Sequence, residues 1–131
     1  MTGEQDDYAL ARLNIAASPL FLRDAEVARG AGLLLLGHGQ WLRLIDPLLR
    51  AEGLGRSHYR MLSYVSQWPG LTMSDLVTLT GTSKQALSRV AKDLERRGLL
   101  SIAKGVSDQR RRELTASAAA LALVRQIDAA L

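Results

Sequence analysis

No cysteine occurs among the 131 residues. Disulfide scaffolds, thiolate zinc sites, cysteine nucleophiles and thiol-based redox sensing are thereby excluded. Histidine is nearly absent too. His38 and His58 are far apart in the chain, with no carboxylate at ligand spacing near either, so no metal site is expected. No His/Asp pair is arranged to activate a serine or threonine, and no Gly-rich phosphate loop follows a strand, which argues against an enzyme and against a bound cofactor. The four leucines at residues 33–36 are far too few to span a bilayer. The opening "MTGEQDDY" is acidic and polar, the opposite of a signal peptide's basic n-region. Together these absences predict a soluble, cytoplasmic protein with no membrane partner.

What is present is a single-domain length with 47% hydrophobic residues, enough for a real core and too apolar for disorder. Charge is unevenly spread. Residues 56–113 carry eleven Lys/Arg against five acids, whereas residues 1–55 carry five Arg against seven acids. A basic block inside an otherwise neutral-to-acidic chain points toward a polyanionic partner.

The periodicity predicts mainly helices. "YALARLNIAA" has helical character in an N-terminal arm closed by Ser18-Pro19. A helix is expected over residues 24–45. Gly30, Gly32, Gly37 and Gly39 each weaken it by roughly 1 kcal/mol relative to Ala, which predicts a bend or a close backbone approach. Asp46-Pro47 reads as an N-cap and first helical residue opening a separate short helix that stops at Gly53. Ser57 is the expected cap of the next helix, which Pro69-Gly70 ends. Thr72 with Asp75 forms a capping-box pattern, and Gly81 a helix stop. Thr82 with Gln85 is a second such box, opening a helix that closes on Gly98. The period then changes to two short extended segments around "GVSDQ", a hairpin. Ser117 caps a last helix whose pattern still runs at Leu131 with no C-cap, so that helix is expected to continue.

Two short helices joined by a tight Gly-containing turn and followed by a β-hairpin make a winged helix-turn-helix. In the second helix Ala86, Leu87, Val90 and Leu94 form the expected buried stripe. The opposite face carries Gln85, Ser88, Arg89, Lys92 and Arg96. None of the five is acidic, although Asp93 and Glu95 adjoin them, and a merely solvated face usually mixes signs through i,i+4 pairs. This face is basic and hydrogen-bond competent, as a helix in a DNA major groove must be. Ser83, Lys84 and Gln85 lie at the helix N-terminus, where free N–H groups suit a phosphate. In the hairpin, strand alternation sends Arg111 and Arg112 to opposite faces, which marks them as structural or backbone-contacting. Arg110 sits at the tip, with Asp108 close enough to fix its guanidinium and present it to the negative potential of a minor groove.

The stretch "LTMSDLVTLTGTSKQALSRVAKDLERRGLLSIAKGVSDQRRRELTASAAAL" resembles the DNA-binding core of the MarR family of bacterial transcription regulators, with the family's Asp-x-Arg wing signature at Asp108-Gln109-Arg110. The preceding "LGRSHYRMLSYVSQWPGLT" resembles the helix that leads into it. The resemblance covers roughly residues 53–123. It implies a homodimer on a pseudo-palindromic operator of double-stranded DNA, acting as a repressor, with N- and C-terminal helices forming the interface. Many members are released from DNA by small, often phenolic or anionic, ligands. The implied division is an arm and dimerisation helices over residues 1–52, a winged helix-turn-helix over 53–116, and the start of a C-terminal dimerisation helix over 117–131. An effector pocket between these parts would draw on Trp41, His58 and Tyr59, with Arg60. A protein-interaction module on the same scaffold and a nonspecific architectural DNA binder are the alternatives the residues leave open.

Overall fold

A computed structural model describes residues 24–105 and 108–131. Its elements run α1 (Asp24–Ala51), α2 (Arg56–Gln67), α3 (Met73–Thr80), α4 (Lys84–Arg96), β1 (Leu100–Lys104), β2 (Arg112–Ala116) and α5 (Ala118–Ala129). The helical pattern in "YALARLNIAA" lies outside the described residues. The expected architecture, mainly helical with a small hairpin wing, is the one observed.

α1 carries Asp24 and Glu26 in its first turn and Arg50 in its last, matching the sign of its dipole at each end. One expectation about it is corrected. It does not break at Asp46 but runs through Pro47. The Asp46 carboxylate caps nothing; it takes Arg56 Nε at 2.7 Å and Nη2 at 2.5 Å, tying α1 to the start of α2. Arg43 and Pro47 are both exposed, so water can reach the carbonyl that the proline ring leaves without a donor. Of the bend or close approach expected at Gly30, Gly32, Gly37 and Gly39, no close approach is seen: beyond the chain neighbours and the helix's own backbone, no described atom lies within 4 Å of a Cβ placed at any of them.

The caps of α2 and α4 also fall elsewhere than expected. Gly55, not Ser57, precedes α2, and its N–H donates to His58 Nδ1 at 3.0 Å. Ser83, not Thr82, caps α4 by accepting from the Ala86 N–H at 3.2 Å. Local sequence offers adjacent hydroxyls at 82 and 83, and a distant arginine decides between them: Thr82 Oγ1 is taken by Arg60 Nη2 at 3.1 Å. The Thr72–Asp75 box forms with both of its bonds, at 2.8 and 3.2 Å. α3 then closes on Gly81 at φ +64°, a left-handed conformation that a side chain would strain. Ser117 caps α5 as expected, accepting from Ala120 N–H at 3.1 Å.

One core joins these elements. Ile45 and Leu49 of α1, Leu62 of α2, Leu76 of α3 and Leu94 of α4 meet beneath Leu114 of the hairpin. Val124 and Ile127 of α5 close it from the other side. β1 and β2 pair antiparallel, with Leu100 opposite Ala116, Ile102 opposite Leu114 and Lys104 opposite Arg112. Leu114 N–H also donates to Leu71 O at 2.7 Å, and a bridge pairs Thr72 with Glu113. The segment before α3 thus lies along β2 as a third, minimal strand. Tyr59 ties α2 to α5 through its hydroxyl, which donates to Asp128 Oδ1 at 2.5 Å.

Pro47→Ala is expected to raise stability by about 2 kcal/mol, the roughly 3 kcal/mol cost of an interior proline less the unfolded-state entropy its ring removes. Urea unfolding measures this, and a loss of stability would contradict a continuous α1. Burial, reinforced by the hydrogen bond to Asp128, pushes the Tyr59 hydroxyl up to about 12. A raised pKa means stability fully present below pH 10 and lost as pH rises toward 12. Stability measured between pH 9 and 12 should therefore fall less steeply in Tyr59→Phe than in the parent.

Candidate nucleic-acid interface

α4 buries Leu87, Ala91 and Leu94, with Ala86 and Val90 half-buried beside them. Ala91 is a core residue that the expected stripe lacked. Against this anchored side, Lys84, Gln85, Arg89 and Lys92 are exposed and Ser88 half-buried. These five line one shallow depression. Ser83, at the N-terminus, has its hydroxyl committed to the cap. Among the described residues the Lys84 and Gln85 N–H groups at this end have no hydrogen-bond partner, and no acid lies in that turn.

The fifth residue of the expected face behaves differently. Arg96 pairs with Asp93 of its own helix. Asp93 also takes Arg97 Nε at 3.1 Å and lies 2.8 Å from His58 Nε2. Because His58 Nδ1 accepts from Gly55, the ring proton is assigned to Nε2, which donates to Asp93. Partial burial works to raise the Asp93 pKa, but the His58 hydrogen bond and the Arg96 and Arg97 cations outweigh it and hold the carboxyl below its ordinary value. Arg97 Nη1 reaches on to Gly53 O at 2.8 Å. The C-terminal end of α4 is thus fastened to the α1–α2 junction. The visible hint of this clamp was Asp93, an acid adjoining the basic face of the helix.

The wing stands beside the N-terminal end of α4. Lys84 and Ser88 share a cleft of about 640 Å³ with Arg110, Arg111 and Arg112. Arg110 is exposed at the hairpin's end. Asp108 does not fix its guanidinium, as expected, but its backbone: Oδ1 accepts from the Arg110 N–H at 2.9 Å. An aspartate side chain closing on the amide two residues later is a local Asx turn, and it shapes the loop, while the Arg110 guanidinium has no hydrogen-bond or ion-pair partner among the described residues. Arg111 turns inward to Asp75 at 3.6 Å, bracing the wing against the capping box of α3. Arg112 is exposed. Residues 106 and 107 of the wing loop lie outside the described residues.

A second cleft, of about 540 Å³, opens between α1 and α2. Trp41, Tyr59 and Arg60 line it as expected, together with Leu42, Tyr64 and Arg56. His58, expected there, is not among its walls; its ring is held by Gly55 and Asp93. Among the described residues no three His, Cys, Asp or Glu are grouped to hold a metal ion, and no helix is long and apolar enough to cross a membrane.

The wing depends on close backbone approach at Gly105, which is buried and whose N–H donates to Arg111 O at 2.8 Å. A Cβ there would sit 2.6 Å from Glu113 Oε1 and 2.8 Å from Asp108 O. Gly105→Ala should destabilise the protein by about 1–3 kcal/mol, the usual cost of overpacking. Adding Glu113→Ala should restore only part of the loss, because the clash with backbone oxygen remains; a full rescue in thermal melts would mean that the backbone approach is unimportant.

A sequence profile described as the MarR family matches residues 52–112. The HTH-type transcriptional regulator PetP of Rhodobacter capsulatus is 30% identical over 111 residues, which span 85% of this chain and 67% of PetP. Among solved structures, MepR of S. aureus in complex with DNA superposes with a TM-score of 0.62 at 19% identity, covering 75% of this chain and 81% of MepR. CouR of Rhodococcus jostii RHA1, bound to p-coumaroyl-CoA, gives 0.65 at 22% identity, covering 75% of this chain and 69% of CouR. The order of caps, helices and wing, the matched profile and the similarity to PetP lead to one assignment: the chain belongs to the MarR family of winged-helix regulators.

Proposed function

We propose that this protein is a cytoplasmic, sequence-specific regulator that binds double-stranded DNA as a homodimer, acting as a ligand-responsive repressor on a pseudo-palindromic operator. The observation that carries the reading is the exposed, acid-free face of α4 beside an exposed arginine at the wing tip. Gln85, Ser88, Arg89 and Lys92 read base edges in the major groove. Ser83 and Lys84, at the helix N-terminus, hold a phosphate. Arg110, on the turn shaped by Asp108, enters the minor groove. The DNA complex formed by MepR is consistent with this arrangement.

The dimer is supported by α1. Leu33, Leu34, Leu35 and Leu36 of this helix are 60–74% exposed, a contiguous apolar surface of the kind that marks an association site. A second copy is the economical cover for it, since most oligomers are symmetric and a two-fold would match two operator half-sites. The cleft lined by Trp41 and Tyr59 supports an effector site. Its size falls in the range of small-molecule pockets.

Footprinting on DNA upstream of the protein's own gene, followed by binding to the protected fragment and to random DNA across a salt series, tests the reading. Specific binding should weaken steeply with salt. Arg110→Ala should weaken it by about 1–3 kcal/mol with unchanged melting temperature, and Arg89→Ala should in addition relax base preference at one position per half-site. Equal affinity for random and protected DNA at every salt concentration would refute a sequence-specific regulator.

A further inference from the structure

The two oxygens of the Asp93 carboxylate have different partners. Oδ2 lies 2.8 Å from His58 Nε2 and accepts from Arg97 Nε at 3.1 Å. Oδ1 accepts from Arg96 Nη2, one turn further along the same helix. The two arginines also differ in setting. The Arg97 side chain is 37% exposed and continues to Gly53 O, whereas that of Arg96 is 78% exposed and has no second partner among the described residues.

The contacts on Oδ2 fasten α4 to α2 and to the α1–α2 junction. The contact on Oδ1 joins two residues of α4 to each other, so it stiffens the last turn and ties it to no other element. An exposed pair of this kind adds little to stability. Its larger effect is on charge. Arg96 prolongs the line of Gln85, Arg89 and Lys92 by one turn, and the carboxylate cancels it there. The cations of α4 that lack a carboxylate partner among the described residues therefore end at Lys92, roughly 12 Å along the axis from Lys84.

We propose that Asp93 is a specificity-determining residue, which acts by withholding Arg96 from the phosphate backbone of DNA. The inference rests on the DNA-binding reading given above. Phosphate contacts carry no sequence information, and they supply essentially all of the affinity for random DNA. An arginine on a long, exposed side chain at the end of α4 suits such contacts, because in a loosely seated complex it meets phosphates in many registers. With the first turns of α4 seated in the groove its position is fixed, and it gains less. A free Arg96 thus favours random DNA over the operator. Asp93 competes well for it, being three residues away on the same helix, whereas a phosphate must hold it against screening by salt.

Asp93→Asn isolates the effect. With its carbonyl oxygen in the place of Oδ2, the amide keeps an acceptor for His58 and Arg97 and turns a donor toward Arg96. The purified parent, Asp93→Asn, Arg96→Ala and the double variant are compared on the protected fragment and on random DNA, by fluorescence anisotropy across a salt series. At low salt Asp93→Asn should bind random DNA about threefold to tenfold more tightly than the parent, and its preference for the protected fragment should fall. Its slope of log affinity against log salt should steepen by about one to two, from one more arginine in each protomer of a dimer. Arg96→Ala should keep the parent's slope, and adding it to Asp93→Asn should restore that slope. A merely structural role for Asp93 would weaken binding to both DNAs and steepen neither slope. The parent's slope in Asp93→Asn overturns the proposal, and so does a steepened slope that survives Arg96→Ala. The Arg96→Ala arm decides even where Asp93→Asn folds poorly: a shallower slope there means that Arg96 already touches phosphate and is not withheld. If the parent prefers no fragment over random DNA, the regulator reading falls and this proposal with it; unchanged slopes in a parent that does discriminate overturn the withholding alone.

Discussion

The carboxylate of Asp93 is where the helices of this domain are made to agree. A helix that offers a basic face to solvent must be held by its other side, and the apolar stripe of α4 alone permits sliding along its own axis. Asp93 prevents this. It gathers a histidine from α2 and two arginines from its own last turn, and Arg97 continues to the backbone of the α1–α2 junction. Bonds to a partly buried ion are stronger than those between neutral groups and fix direction as well as distance. The position of the exposed basic face relative to the rest of the lobe is set by this anion together with the buried stripe of α4.

The same contact explains which positive charges are available to a ligand. Arg96 falls on the basic face by helical arithmetic, yet it is committed to Asp93. Arg111 follows Arg110 in sequence, yet it is committed to Asp75. Each carboxylate subtracts a cation from the surface it adjoins and uses it for rigidity. Of the cations on α4 and the wing, those left without a carboxylate among the described residues are Lys84, Arg89 and Lys92 along the exposed face of α4 and Lys104, Arg110 and Arg112 on the wing.

The architecture was legible because its signals are local. A change of period around the turn residues "GVSDQ" marked the hairpin, Ser117 and the Thr72–Asp75 pair marked helix starts, and Gly81 marked a turn, all decided by residues close together in the chain. The misread features share the opposite property. Proline at position 47 looks like a helix start until the carboxylate of Asp46 is seen to serve Arg56. Thr82 and Ser83 are equally good caps until Arg60 claims the first. His58 beside Tyr59 looks like a pocket residue until Gly55 and Asp93 are found on its two nitrogens. In every case a side chain from another element decides between local options of similar free energy, and periodicity carries no information about that partner. The candidate DNA face could be drawn from sequence, but its division into free and committed arginines could not.

Pro47 lies four residues from the end of a 28-residue helix, within its packed end, between buried Ile45 and buried Leu49. With one hydrogen bond of the ladder missing there, bending costs less at that point than elsewhere along the rod. Ile45 in the core and the Asp46–Arg56 pair lie just before that point and hold the helix to the lobe there. The gap in the ladder is therefore bridged by side-chain contacts, and the direction of the exposed length of α1 is inherited from the lobe rather than set by the proline.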